Sequence, residues 1–238
     1  MIAGRLMTLI LVGVVHRDPD GYERLSDLLD ELRPEALTVE LSPLGLLWRE
    51  ARGRQLLEAL QRLTKGLCRG LHSHGQIELL REGLQVPFEF VASLAYAERH
   101  GAPLHLVDLN WVSWRFLPLY ESEALTMDNL IRLGNLPPEP VRVLVERAYL
   151  RAAGCLRRGL CKSEREAATW RDVTGRRRER LLACRVRRVA ERHARVAHIG
   201  GWVHLVHDEE GSSLASLLSD LRPRRVLLEG GDGPLALP

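Results

Sequence analysis

Five polar residues stand where the pattern of the chain changes from apolar strand to turn. The run Thr8 to Val15 leads through Gly13-Val14-Val15 into His16, and Leu37-Thr38-Val39-Glu40-Leu41 carries a carboxylate within an apolar segment. Leu104 to Val107 ends in Asp108, and Arg195-Val196-Ala197 ends in His198, with Gly200, Gly201 and His204 just beyond it. A glutamate inside a buried strand is costly unless it is paired, bound to a metal or shifted in pKa. Histidines and carboxylates gathered in one place could hold a divalent metal and activate a water. Taken singly, each residue has a plainer role: His16 a capping histidine, Asp108 a turn former, Glu40 a partner for one of many arginines. The recurrence of the arrangement favours a shared site, because ligands of open α/β sheets bind beyond the C-terminal ends of the strands.

The elements that must position these residues read as an α/β fold with a central mixed or mainly parallel sheet. Thr8 to Val15 is a continuous apolar run, as a strand covered on both faces requires. Asp18-Pro19-Asp20-Gly21 is a turn that can cap a helix from about Tyr22 to Leu32, whose Leu25, Leu28, Leu29 and Leu32 share one face. Pro34 ends that helix, and Ala36 to Leu41 gives a second strand, which makes a βαβ unit with a right-handed crossover. Helical spacing continues over Leu44 to Leu63 and Gln76 to Leu84, then from Phe88 to His100, closed by Gly101. The stretch Pro137 to Pro140 breaks the chain before a helix from Val141 to about Gly154. Arg171 to Arg195 reads as a long basic helix, and Ala194 to Ile199 as a further strand. A repeat is written into the sequence: Leu25 to Glu40 reads LSDLLDELRPEALTVE, and Leu214 to Glu229 reads LASLLSDLRPRRVLLE. It predicts two similar βαβ units in one domain spanning residues 1–238, with helical insertions at roughly 44–100 and 120–193.

Composition narrows the classes. A hydrophobic content of 45% and a charged content of 27% over 238 residues are those of a globular chain able to bury a core. The net charge is only +3, although Lys65 and Lys162 are the only lysines among 34 basic residues. Ten arginines between Arg171 and Arg195 could form a nucleic-acid-binding helix, but no aromatic interleaving accompanies them, so a solvated helix face is expected and no nucleic acid. Cys68, Cys155, Cys161 and Cys184 have neither CxxC nor zinc-like spacing, which points to reduced thiols and a cytoplasmic location. Leu6 to Val15 is too short to span a bilayer and runs directly into His16, Arg17 and Asp18, so a strand is expected there and no membrane span.

The segment VGVVH, followed by a helix and LRPEALTVELSP, resembles the opening of TraB/PrgY-like domains of the Tiki, ChaN and erythromycin-esterase-like superfamily. Gly13 and His16 match the first GxxH motif, and Glu40 matches the acidic strand that follows. Phe88-Glu89-Phe90 with Ala92 and Ala95 resembles the helix bearing a second glutamate, Leu106-Val107-Asp108 the strand after it, and Arg115 stands where an arginine is usual. Arg178-Glu179 with Leu182-Ala183 resembles the helix before the last motif. For that last GxxH, His198 ends the strand but Arg195 replaces the glycine; Gly201-Trp202-Val203-His204 is a literal match further on. The resemblance implies a metal-dependent hydrolase of peptide, ester or amide bonds. His16, Glu40 and His198 would hold manganese, cobalt or zinc, Glu89 would be a ligand or base, and Arg178 or Arg115 would stabilise an oxyanion. Asp108 and His204 would contact a peptide or small-molecule substrate. A non-catalytic module with the same cleft, binding a peptide or haem, is the alternative, and a homodimer stays open.

Overall fold

The computed structural model describes residues 7–65, 74–158, 171–208, 210–228 and 235–237. Lys162, Cys68, Cys161 and Glu229, named above, lie outside the described residues. Six strands form one sheet: β1 (Thr8–Val14), β2 (Ala36–Val39), β3 (Leu104–Leu106), β4 (Arg195–Gly201), β5 (Arg224–Leu227) and β6 (Leu235–Leu237). Their order is β3-β2-β4-β1-β5-β6, with β1 to β5 parallel and β6 antiparallel at the edge. The apolar run of β1 earns its central place: from Leu9 to Val14 every residue is buried.

Between β1 and β2 runs α1 (Gly21–Leu32), which buries Leu25, Leu28, Leu29 and Leu32 as the spacing requires. Its start differs from expectation. Asp20 is the N-cap residue but makes no side-chain capping bond, and Gly21 is needed because a Cβ there would lie 2.5 Å from the ring of Phe88. The helical region holds α2 (Pro43–Lys65), α3 (Gly75–Leu84) and α4 (Phe88–His100), the last ended by Gly101 at φ 66. After β3 come α5 (Asn110–Phe116), a π turn at Tyr120–Ala124, α6 (Met127–Gly134), α7 (Val141–Arg158) and α8 (Val173–Ala190). Leu56, Leu60, Ile77, Leu80, Leu84 and Leu130 form a small core of their own, apart from the main core around the sheet.

The repeat survives in part. After β4 a 3-10 turn, Trp202–Leu205, leads to α9 (Leu214–Leu217) and a second 3-10 turn at Ser219–Leu221, so the second copy has one α-helical turn where the first has twelve helical residues. The Leu-Arg-Pro segments nevertheless fold alike. Arg33 (φ 47, ψ 56) and Arg222 (φ 47, ψ 57) both take the left-handed conformation that ends a helix before a proline. β2 and β5 then each enter the sheet two places from the strand before them, one on either side of the β4–β1 pair. Right-handed crossovers in opposite directions put α1 and α9 on opposite faces; α1 packs on α4, and α9 packs on α8.

Candidate functional site

Strand register brings the named residues together. Val39 of β2 pairs with Ile199 of β4, so Glu40, one residue beyond the end of β2, stands beside Gly200. Neither Gly200 nor Gly201 has room for a side chain. A Cβ on Gly200 would sit 2.8 Å from Glu40 Oε2, and one on Gly201 would sit 2.8 Å from His16 Nε2. Gly13 is constrained too, since its Cβ would meet Leu205 at 2.8 Å and the Trp202 backbone at 3.0 Å. The glycine of the first GxxH thus makes space for the turn that carries the second.

Glu40 is the hub. Its Oε1 accepts from Arg178 Nη2 at 2.6 Å and pairs with His204 Nε2 at 2.9 Å, and its Oε2 accepts the Gly201 N–H at 2.7 Å. Burial alone would raise its pKa, but the charges of His204 and Arg178 outweigh that and hold the carboxylate well below its usual range. Arg178 reaches from α8 and also grips both oxygens of Asp108, through Nε at 2.9 Å and Nη2 at 3.0 Å. Burial works against its charge, yet Glu40 and Asp108 raise its pKa further.

Two histidines flank Glu40 with the same wiring. His204 Nδ1 bonds Glu179 of α8 at 2.9 Å, and Glu179 Oε2 also accepts the N–H of Leu214. His204 and Glu179 are buried. Burial disfavours the imidazolium, but Glu179 and Glu40 push the His204 pKa up to about 10. His16 Nδ1 bonds Glu89 Oε1 at 2.6 Å, and its Nε2 faces Glu40 Oε2 at 3.9 Å. Its side chain keeps 52% of its surface exposed. Desolvation lowers its pKa, and the Glu89 bond with the charges of Glu89 and Glu40 more than reverses that, leaving it raised. The loop presenting His16 is tied down by Asp18, which accepts from Asp20 N, Arg24 and Tyr149 Oη at 3.0 to 3.2 Å.

His16, Glu40, Glu89, Asp108 and Arg178 line one cavity of about 280 Å³, with Arg17, Arg49, Glu82 and Tyr120. His198 does not line it. The strand runs on to Gly201, past the glycines that suggested its end, so His198 lies mid-strand opposite Leu11 and Thr38. It shares a 3.0 Å hydrogen bond with Thr38, and burial lowers its pKa to about 4 despite the charge of Glu40, so it is neutral. Arg115 is exposed, lies against the ring of its neighbour Phe116 and does not line the cavity. Glu179 entered the sequence reading only within a motif, although its position is legible: with Leu182, Ala183 and Val186 it falls on the buried stripe of an otherwise basic helix.

The basic helix is used inward only in part: Arg177, Arg180 and Arg188 are exposed, while Arg178, Arg185 and Arg187 are engaged. Arg185 donates to the carbonyls of Val107 and Asp108, and Arg187 pairs with Asp220 and the Leu217 carbonyl. Among the described residues no group of three or more His, Cys, Asp or Glu side chains is placed to hold a metal ion. His16 Nε2 and Glu40 Oε2 are the pair of donors that face each other, and the charge of Glu40 is already balanced by Arg178 and His204. No helix among the described residues is long and apolar enough to cross a membrane. No family model, no curated protein and no solved structure matches the chain.

Proposed function

We propose that the chain is a hydrolase of peptide, amide or ester bonds, with His16 as the base that activates water and Glu89 as the carboxylate that orients it. One contact carries the reading: the 2.6 Å bond from His16 Nδ1 to Glu89 Oε1, made in the wall of a cavity with Nε2 free of any hydrogen bond among the described residues. A base held by a third group, with its other nitrogen open, is the arrangement that removes a proton from water. With Nδ1 keeping its proton and donating it in a hydrogen bond to Glu89, the Nε2 lone pair takes the proton from water. The imidazolium so formed is stabilised by Glu89 and Glu40, then returns its proton to the leaving group. Arg178 lines the same cavity, with Nε and Nη2 held by Asp108 and Glu40, which leaves Nη1 for the oxyanion that develops on the substrate.

Metal-assisted hydrolysis of the TraB/Tiki kind is the second reading, favoured by the approach of His16 Nε2 to Glu40 Oε2. A divalent cation there would polarise the scissile carbonyl, and no step above depends on it. The test is turnover of a library of peptides, amides and esters by wild type and by His16→Ala, with metal content measured on both. Turnover by wild type alone supports the proposal. Equal turnover by both removes His16, and a wild type that binds library members without cleaving them makes the cleft a binding module.

A further inference from the structure

At the mouth of the same cavity, Arg17 and Arg49 converge on one phenol. Arg17 Nη2 donates to Tyr120 Oη at 3.2 Å, and Arg49, projecting from α2, lies against the same hydroxyl. Neither guanidinium makes an ion pair among the described residues, whereas Arg178, Arg24, Arg52, Arg99, Arg142, Arg147 and Arg187 all do. Arg49 is half-buried, donates one bond to the Gly45 carbonyl, and has its Nε buried with no partner. Burial lowers its affinity for its proton; Tyr120 and the charge of Glu89 oppose this only in part, and the adjacent charge of Arg17 adds to it.

Two like charges held side by side, with no carboxylate within ion-pair distance among the described residues and Glu89 acting only from across the cavity, are unfavourable, and the fold makes specific provision for them. Arg17 sits at φ 67, a left-handed backbone that a non-glycine residue rarely adopts. Gly83 of α3 leaves the space its guanidinium fills: a Cβ there would come within 3.0 Å of both Arg17 Nε and Tyr120 Oη. The carboxylate of Glu82, which also lines the cavity, is turned to the side chain of Gln85 at 3.1 Å. Arg17 and Tyr120 also line a second, more open cavity of about 760 Å³, so the pair stands between the two.

We infer that Arg17 and Arg49 form a clamp for an oxyanion, a carboxylate or phosphate, carried by the substrate of this cleft. The inference rests on the cavity being the hydrolytic site proposed above, and it narrows the substrate class to anionic molecules. A guanidinium pair suits either anion because each offers paired N–H donors to two oxygens. The substrate is then anchored by its charge on the α2 side of the cavity while its scissile bond faces His16. The remainder of the molecule extends past Tyr120 into the wider cavity.

The experiment is calorimetric titration of the protein with inorganic phosphate, succinate and glycerol at constant ionic strength, repeated on Arg49→Gln, Arg17→Gln and His16→Ala. Phosphate or succinate, and not glycerol, should bind wild type and His16→Ala alike, and whichever binds more tightly identifies the anion. Arg49→Gln should weaken that binding about tenfold or more, the loss of one charge-assisted contact. Arg17→Gln should act in the same direction, and circular dichroism of each variant establishes that it is folded. Equal anion binding by wild type and a folded Arg49→Gln overturns the clamp, as does no binding of either anion to wild type. Anion binding with no turnover of any library member overturns the hydrolase reading and leaves the clamp standing. Turnover of neutral and anionic substrates at equal rates, without anion binding, does the reverse.

Discussion

His16 and His204 are wired alike and end in opposite circumstances. Each follows a central strand, each gives Nδ1 to a glutamate projecting from a helix, and each turns Nε2 toward Glu40. The difference is water. His204, within the 3-10 turn, and Glu179 are sealed from solvent, so the two carboxylates around the imidazole hold it as a cation at neutral pH. His16 keeps half its surface open to the cavity, where its charge can come and go. The same three-residue pattern therefore serves as a buried brace in one place and as a reactive group in the other, and exposure decides which.

The largest effect should come from the brace. His204→Ala or Glu179→Gln leaves a buried charge without its partner, which costs about 3–5 kcal/mol; urea unfolding measures it. A loss below about 1 kcal/mol would mean that the buried pair is not an ion pair. The open histidine should behave in the opposite way. His16→Ala should reduce kcat/KM by about a hundredfold or more, and, although it strips the buried Glu89 of its partner, should cost less stability than His204→Ala because water can enter the opened cavity.

Protonation separates the two further. Water activation needs neutral His16, so kcat/KM should rise with pH through a midpoint above 6.5, since the pKa of His16 is raised. Glu89→Gln removes the charge that raises it and should move that midpoint to lower pH. His204 governs stability instead. Its folded pKa of about 10 lies above the ordinary 6.5, so its contribution is complete below about 6.5 and is lost as pH climbs toward 10. Thermal melts should decline across that window in wild type and decline less in His204→Asn. The smallest effect belongs to the third histidine. Replacing His198 and Thr38 together, by Leu and Val, removes both partners of a buried bond and should leave stability and turnover nearly unchanged. A turnover collapse would return His198 to the site.

Much of this arrangement was legible before the structure. Hydrophobic periodicity located β1, α1 and α4 and placed Glu40 and Asp108 near strand ends, while Glu89 stood out only through the family resemblance; all three line the one cavity. The misreading of His198 has a specific cause. Gly200-Gly201 looks like the end of a strand, but in this sheet the glycines continue it, because Glu40 and His16 come down where their side chains would be. Glu179 was obscured by the arginines around it, although its place on the apolar stripe of α8 marked it as buried. Arg49 gave no local sign at all. It is one arginine on a long helix of mixed polarity, and only the approach of Arg17 from a loop 32 positions earlier gives it a role. The second repeat shortened its helix without altering its turn, since the left-handed arginine before the proline depends on local sterics while helix length depends on what packs against it.

The strand order also bears on how the chain is made. β1 and β2 share no hydrogen bonds; each is joined to β4, whose partners lie 187 positions beyond those of β1 and 160 beyond those of β2. Until β4 pairs, β1 and one edge of β2 stay open, and until α8 docks, Glu40 and Asp108 lack the guanidinium that balances them. The strand that closes the sheet also brings His204 to Glu40, and Arg178 arrives only one helix earlier. The sheet and the cluster are thus completed in one late event, which favours slow folding governed by distant contacts. It also makes the unfinished chain a natural client for chaperones that shield exposed strand edges.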